Sequence, residues 1–273
     1  MQRFISATFI FIIFFASLWI LNDSSEISET IAQYVQNGEF LTFKTRYTAE
    51  EIMNHRRDEL LLDNSYSYLE SNLKFHPHLL MEIKYTFNQR PKEGILLWSL
   101  VDGEIVLDTD TWNKTHGFQD ALLVDASRNE FTLINALVKH NGMITKDRLK
   151  KELNLDLEVI EPWIESARNK HLIVQKGNIL FLYFENPKLP ISPQTKLNEE
   201  IVTKPYNFAQ KFIGKFSKKQ IERISKAAFG ADFTIRSMQE VCLPVFSIEV
   251  LNPDGSLQTS YWNGVTGQRM TLK

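Results

Sequence analysis

Apolar and polar positions divide the chain into one continuous apolar run and a long mixed body. Residues 4–21 read FISATFIFIIFFASLWIL and contain no charged side chain. A helix rises about 1.5 Å per residue, so this run would measure about 27 Å, close to the thickness of a bilayer core. The pattern predicts one membrane-spanning helix in residues 1–22, followed by a body outside the bilayer.

The flanks of this run bear on its fate and its orientation. A cleaved signal peptide is the alternative, because Arg3 supplies a charge ahead of the run, but no clear pair of small residues marks a cleavage site after it. Asp23, Glu26 and Glu29 follow the run, and positive charge favours the cytoplasmic side. We therefore expect an uncleaved anchor, with the body in the periplasm or at the cell surface.

Two distant stretches of the body share one order of features. Each begins with a helix-capping pattern ahead of a helical apolar pattern, Thr48-x-x-Glu51 in the first and Ser217-x-x-Gln220 in the second. The order suggests that the body contains an internal repeat. The copies run from about Thr48 to Asp108 and from about Ser217 to Leu272, within two α+β units that we place in residues 23–124 and 217–273.

The features that follow the caps predict strands and tight turns. Each copy has a proline five residues before a glutamate, and a tryptophan five residues before a glycine. Proline at the first position of a strand costs no ladder hydrogen bond, and glycine supplies the positive φ of a tight hairpin. The sequence thus predicts two similar α-β-β-β units. The pairs are Pro77 and Glu82, Pro244 and Glu249, Trp98 and Gly103, and Trp262 and Gly267.

The second unit resembles PepSY-type domains, in which a helix is followed by strands and a hairpin like Thr-Gly-Glu. The likeness is carried by residues 221–229, by Phe246-Ser-Ile-Glu-Val and by Tyr261-Trp-Asn-Gly-Val-Thr-Gly-Gln. Tryptophan and asparagine stand where that family often has valine and aspartate. The resemblance implies an extracytoplasmic binding or inhibitory module.

Residues 125–185 lie between the two units. Apolar positions predict three helices, and residues 172–184 alternate around Lys176-Gly177-Asn178 as a hairpin. This order resembles a winged helix, a shape that often binds DNA. Four carboxylates on the third helix would repel phosphate groups, so we expect a protein-interaction or spacer module rather than one that binds nucleic acid. They are Asp156, Glu158, Glu161 and Glu165.

A proline-rich segment follows in residues 186–216. Three prolines in residues 186–193 predict an extended strap, which we expect to lead into a helix. Phe208, Phe212 and Ile213 would form an apolar stripe on that helix, either docking a partner helix or packing against the second unit. Trp98 and Trp262 are the other candidate partner-binding residues.

Composition and motifs point away from catalysis. The net charge of −2 is ordinary, and the sequence contains no G-x-S-x-G, Walker, G-x-G-x-x-G or H-E-x-x-H pattern. His76 and His78 could hold a metal with Glu82, but we interpret them as surface or strand-edge histidines. The sole cysteine, Cys242, allows no disulfide within one chain and is expected to be buried. We interpret the carboxylates of residues 102–110 as solvated.

These observations favour an α+β protein with a transmembrane helix and two α-β-β-β units flanking a winged-helix domain. We expect no enzyme activity, no cofactor and no bound metal, and we expect the membrane and other proteins as partners. Whether a small molecule binds is left open. The alternatives are a membrane-tethered DNA-binding regulator and an inhibitor or chaperone of an envelope protease.

Overall fold

The computed structural model describes residues 38–184, 187–189, 192–206 and 209–271. The predicted membrane segment, residues 1–22, lies outside the described residues. Among the residues that are described, no helix is long and apolar enough to cross a membrane. The chain divides into a small unit, residues 1–40 with 203–208, and a large unit that contains the rest.

In the small unit, Tyr206 holds residues 38–40. Its backbone N–H donates to the carbonyl of Gly38 at 2.7 Å, and its ring lies edge-on to that of Phe40 with centroids 5.2 Å apart.

The described residues form a mixed α+β structure with seven helices and two sheets. The helices are α1 (Ala49–His55), α2 (Arg57–Leu60), α3 (Phe118–Leu123), α4 (Arg128–Lys139), α5 (Lys146–Leu153), α6 (Leu157–Asn169) and α7 (Lys218–Phe229). The strands are β1 (Glu39–Phe43), β2 (Ser67–Phe87), β3 (Arg90–Ser99), β4 (Ile105–Asp108), β5 (Asn113–Lys114), β6 (Met143–Thr145), β7 (Ile173–Lys176), β8 (Ile179–Leu182), β9 (Ile201–Pro205), β10 (Gln210–Lys211), β11 (Thr234–Leu251), β12 (Leu257–Asn263) and β13 (Arg269–Met270). The main sheet has the order β13-β12-β11-β2-β3-β4-β5, and the second sheet the order β6-β8-β7.

The two long strands β2 and β11 run antiparallel at the centre of the main sheet. Leu243 lies opposite His76, Pro244 opposite Phe75, and Cys242 opposite Pro77. Because Pro77 and Pro244 hold the same place in the two repeated stretches, the register is symmetric about the His76–Leu243 pair. The two stretches therefore form the two halves of one sheet, related by an approximate two-fold axis.

Backbone hydrogen bonds repeat this symmetry away from the central strands. The N–H groups of Arg46 and Tyr47 donate to the carbonyl of Gly264 at 2.9 and 3.0 Å. In the other half, the N–H groups of Lys215 and Phe216 donate to the carbonyl of Leu100 at 2.7 and 3.0 Å. The segment that leads into each helix is therefore bound to the hairpin of the opposite half.

Each of these two helices consequently covers the strands of the other half. Ile52 of α1 packs in one apolar cluster with Phe246 and Trp262 of the second half. Ile221 of α7 belongs to the apolar core that contains Leu79 and Trp98 of the first half. The two helices are exchanged between the halves. A domain-swapped dimer exchanges an element between two chains in the same way, but here both halves belong to one chain.

The capping and turn predictions are confirmed. Both capping boxes form, with Thr48 and Glu51 ahead of α1 and with Ser217 and Gln220 ahead of α7. Gly103 has a φ of 73° and Gly267 a φ of 66° in the two hairpin turns.

Close packing adds a second reason for glycine at the two turns. A Cβ on Gly103 would lie 2.8 Å from the Phe216 ring, and one on Gly267 would lie 3.2 Å from the Tyr47 ring. Each aromatic residue immediately precedes the helix cap of the opposite half, so the turn glycine and the exchanged helix fit together.

The prediction that Pro77 and Pro244 begin strands is wrong, because both lie in the middle of long strands. The Pro77 carbonyl accepts the N–H of Leu100 at 3.0 Å, and the Pro244 carbonyl accepts the N–H of Gly264 at 2.8 Å. In an antiparallel strand, the nitrogen and the carbonyl oxygen of one residue point toward the same neighbouring strand. Because both proline carbonyls bond on the side away from the central β2–β11 pairing, each proline nitrogen also faces that outer side. On the outer side of β2, the neighbouring strand changes from β10 to β3 near Pro77. The proline therefore removes no ladder hydrogen bond.

Residues 125–184 form the three predicted helices, α4 to α6, and the predicted hairpin of β7 and β8, with β6 as an added strand. Phe118 connects this segment with the main sheet, since its ring lies 4.9 Å from that of Trp98 and 6.0 Å from that of Phe131. At the end of the strap, residues 210–211 form strand β10 beside β2 and not the predicted helix, because their backbone groups bond to the sheet.

Candidate functional site

The structure places two of the predicted partner-binding residues in the core. Trp98 and Trp262 are both 0 % exposed. Their indole N–H groups donate internally, to the carbonyl of Gly103 at 2.7 Å and to the hydroxyl of Ser260 at 2.8 Å. A surface role does not fit these positions, because both side chains are fully buried.

The other two predicted residues have separate outcomes. Phe212 is 40 % exposed and follows strand β10, where its ring lies 4.7 Å from that of His76. Phe208 lies outside the described residues. Ile213, the neighbour of Phe212, is 88 % exposed. These two adjacent side chains do not make an extended apolar stripe.

Four partly exposed apolar side chains lie on the outer side of the small sheet, together with Lys176, whose ammonium lies 5.9 Å from the centroid of the Phe181 ring. Phe181 lies between its cross-strand neighbours Met143 and Val174, and Ile179 precedes it by two residues on the same side of β8. Met143 is 56 % exposed, Ile179 39 % and Val174 37 %. We call these four residues the outer sheet face.

Charged groups next to this sheet neutralise one another. Lys146 of α5 lies 2.5 Å from Glu161 of α6, and Lys150 lies 2.8 Å from Asp156. Two lysines of α5 therefore pair with carboxylates of α6 and of its N-cap residue. Little unbalanced positive charge is left there for phosphate groups.

The carboxylates of residues 102–110 are not all solvated, and the prediction is wrong for Glu104. This side chain is buried and accepts hydrogen bonds from the Thr115 hydroxyl at 2.6 Å and from the N–H groups of Gly117 and Gln119 at 3.0 Å each. Glu104 thus holds the start of α3, where a carboxylate complements the free N–H groups of the helix.

Asp102 takes part in a second polar arrangement between the two hairpins. Its carboxylate lies 2.6 Å from the ammonium of Lys114, and both side chains are about one fifth exposed. Burial alone would raise the pKa of Asp102, but the Lys114 charge and hydrogen bonds outweigh it and hold the pKa below its usual value.

A cavity of about 230 Å³ lies beside this ion pair, and we call it the inter-hairpin cavity. Both halves contribute to it, including Asp102 and Thr266, which each precede the hairpin glycine of their half. Its walls include Asp102, Trp112, Lys114, Asn263, Thr266 and Arg269.

The histidine pair lies next to this region and is buried, which corrects the prediction of surface or strand-edge histidines. His76 and His78 are each 1 % exposed, and the ring of His78 lies edge-on to that of Trp112 at 5.7 Å. Burial, with the Lys114 charge, lowers the pKa of His76 to about 4 and that of His78 to about 3. Both rings are therefore neutral at physiological pH.

Neither histidine is joined by a full set of metal ligands. Within the described residues no group of three or more His, Cys, Asp or Glu side chains could hold an ion. Glu82, the expected third ligand, lies exposed farther along β2. Cys242 is 1 % exposed as predicted, and burial raises the pKa of its thiol to about 12.

Several buried polar atoms of this region have no hydrogen-bond partner among the described residues. They are Nε2 of His76, Nε2 of His78, Nε1 of Trp112 and Nδ2 of Asn263. Of these four residues, Trp112 and Asn263 belong to the lining of the inter-hairpin cavity, whereas the two histidines do not.

The sequence alone did not single out Trp112, Lys114 or Asn263. Asn263 stands in the stretch with the PepSY-type resemblance, but Trp112 and Lys114 follow an unremarkable acidic hairpin. Only the pairing of two halves far apart in the chain brings them to one cavity. Comparison with family models, with curated proteins and with solved structures finds no match to this chain.

Proposed function

We propose that this protein is a non-enzymatic, membrane-anchored adaptor that binds protein partners outside the cytoplasm. The outer sheet face is the observation that carries the proposal. Soluble proteins seldom expose a contiguous apolar surface without using it, and one side of a sheet normally packs on other residues. We place the partner on this face, through an apolar surface of its own.

The charge distribution favours a protein partner over nucleic acid. Residues 125–184 have the element order of a winged helix, and that order alone would favour a DNA-binding regulator. The third helix carries Glu158 and Glu165 in addition to the paired Glu161. A DNA backbone would be repelled by these carboxylates, and the paired lysines would not offset that repulsion. An apolar protein surface has no phosphate charge and would not be repelled.

Two substitutions on the outer sheet face test the proposal. Met143→Thr with Ile179→Thr keeps the strand propensity and removes exposed apolar area, so stability should change by no more than about 0.5 kcal/mol. We expect the double variant to lose the partner that the unchanged protein captures by cross-linking in native membranes.

A matched control uses equal changes elsewhere. Leu69→Thr with Leu257→Thr alters two strand residues that are each 57 % exposed and lie far from the small sheet along the chain. The control should capture the same partner as the unchanged protein. Equal capture by both double variants would contradict a role for the outer sheet face.

The position of the body relative to the membrane needs a separate measurement. A reporter fused after Lys273 that is active only outside the cytoplasm should be active, because Arg3 precedes the apolar run and acidic residues follow it. A cytoplasmic body that binds duplex DNA with strong salt dependence would overturn the adaptor and favour the regulator.

A further inference from the structure

We infer that a cavity beside Gly267 is a docking site for a helix of another protein, one that presents a leucine with an acidic side chain near it. We call it the Gly267 cavity, and its volume is about 260 Å³. It lies between the exchanged helix α1 and the hairpin of the second half, and its walls are formed by Tyr47, Ile52, His55, Arg56, Thr266 and Gly267. This inference does not depend on the outer sheet face.

In the other half of the sheet, the equivalent place is filled by a helix of the chain itself. Gly103 corresponds to Gly267 there, and Phe216 corresponds to Tyr47. A Cβ on Gly103 would lie 2.7 Å from Cδ1 of Leu122 and 2.8 Å from the Phe216 ring. Leu122 belongs to α3, which packs against α7, and it is 3 % exposed in the same apolar core as Phe216. A leucine carried by a helix is therefore the group that this arrangement of hairpin and exchanged helix holds.

The corresponding place in the second half is open. The three atoms nearest to a Cβ on Gly267 all belong to the Tyr47 ring, and no leucine takes part. Ile224, seven residues after the cap of α7, is 1 % exposed, whereas His55, seven residues after the cap of α1, is exposed. Tyr47 and Thr266 are partly exposed as well, so their side chains can contact an incoming group. The second half thus lacks the counterpart of α3.

Charge at the cavity favours an acidic partner. Arg56 is exposed, and its guanidinium takes part in no ion pair within the described residues. The neighbouring Glu51 belongs to the capping box of α1, and Glu59 lies 3.5 Å from Arg269. In the first half, Arg223 of α7 lies 2.7 Å from a carboxylate three residues after Leu122, that of Asp125. We therefore expect a carboxylate of the partner helix, close to its leucine, to pair with Arg56.

The sequence of α3 itself supplies the probe. A dye-labelled peptide of residues 117–127, held helical by a lactam link between positions 119 and 123, contains Leu122 and Asp125. We expect it to bind the full-length protein saturably when its fluorescence anisotropy is measured. A peptide with Leu122→Ala should bind at least about tenfold more weakly, because it loses most of the apolar area that the cavity would bury. No saturable binding, or equal binding of both peptides, would overturn the inference.

A photoreactive leucine analogue at position 122 of the peptide locates the site. Mass spectrometry of the irradiated complex should find the cross-links in residues 47–56 or 264–268. Cross-links confined to residues 143–181 would place the peptide at the outer sheet face and overturn the inference. Cross-links confined to residues 100–103 or 216–224 would mean that the peptide displaces the chain's own α3, which would overturn it as well.

Two adjacent arginines give a matched pair of protein variants. Both are exposed, so neither change should affect folding, but only Arg56 lines the cavity. Arg56→Gln should weaken binding of the peptide about two- to fivefold, the range of an exposed ion pair, whereas Arg57→Gln should bind like the unchanged protein. Equal affinity in both variants would contradict an acidic partner at this cavity. Self-association of the protein that competes with the peptide would assign the cavity to a second copy of the chain and overturn the inference.

Discussion

Single residues in this protein behave according to which neighbours the fold brings to them. His76 and His78 flank Pro77 in sequence and suggested an accessible pair, yet both are buried beside Lys114. Cys242 stands within an apolar run, and its burial could be predicted because Val241 and Leu243 on either side are apolar too. A histidine gives no such signal, since it is common both in cores and on surfaces.

The buried histidines predict a loss of stability in mild acid. Their folded pKa values, about 4 and about 3, lie below the usual 6.5, so between these limits the unfolded chain binds protons that the folded protein does not. The free energy of unfolding should therefore fall as the pH drops below 6.5, by about 1.4 kcal/mol per pH unit for each titrating histidine. Urea unfolding across this range measures the slope.

A single variant isolates the histidine contribution. His76→Leu places at this position the residue that Leu243 provides in the opposite half, so the pocket should accept it. The slope of the free energy of unfolding against pH should decrease by the contribution of one titrating histidine. The contribution of the carboxylates to the slope should stay the same. An unchanged slope in this variant would show that His76 does not titrate as its burial requires.

Elements were predictable where local chemistry decides them. The capping boxes of α1 and α7 and the glycine turns depend on residues within a few positions, and all of them formed. The helix expected before Ser217 is absent from residues 209–216, because residues 210–211 pair with β2, which is distant in sequence. The prediction of where the prolines lie in their strands was wrong for the same reason. A strand tolerates proline according to which neighbouring strand the proline nitrogen faces.

The start of α3 predicts a strong effect at Glu104. Glu104→Gln can keep an oxygen for the N–H groups of Gly117 and Gln119, which donate to one carboxylate oxygen, but turns an NH₂ group toward the Thr115 hydroxyl and the Phe118 N–H, which donate to the other. We expect the free energy of unfolding to fall by about 1–3 kcal/mol. Glu93→Gln, on a side chain that is 64 % exposed, should change it by less than about 0.5 kcal/mol. Denaturant midpoints of the two variants compare directly, and equal midpoints would contradict this role.

The arrangement of the large unit as a whole could not be obtained from the sequence. The two repeated stretches have the same pattern of cap, helix and strands, so either helix matches the apolar face of either half. Sequence similarity therefore predicts the repeat but leaves open whether the helices cover their own strands or exchange. The inter-hairpin cavity was hidden for a related reason, because Trp112 and Asn263 meet only when the two halves pair in one sheet.

Exchange predicts that the halves depend on one another. A fragment of residues 38–124 would keep β2 and β3 but lack α7, whose Ile221 and Ile224 pack in the same core. A fragment of residues 209–271 would lack α1 and Ile52. We expect each fragment alone to be an unfolded monomer with little dispersion in its amide spectrum. A folded monomer of either fragment, unfolding cooperatively, would contradict the exchange.

The pairing of His76 with Leu243 at the centre of the sheet has one more consequence. Two identical subunits must place the same side chain on both sides of their axis, so a buried histidine there would always bring a second one with it. A tandem chain is free of that requirement. It can keep leucine on one side and polar chemistry on the other, and so one half can acquire a binding site while its counterpart continues to hold the sheet together.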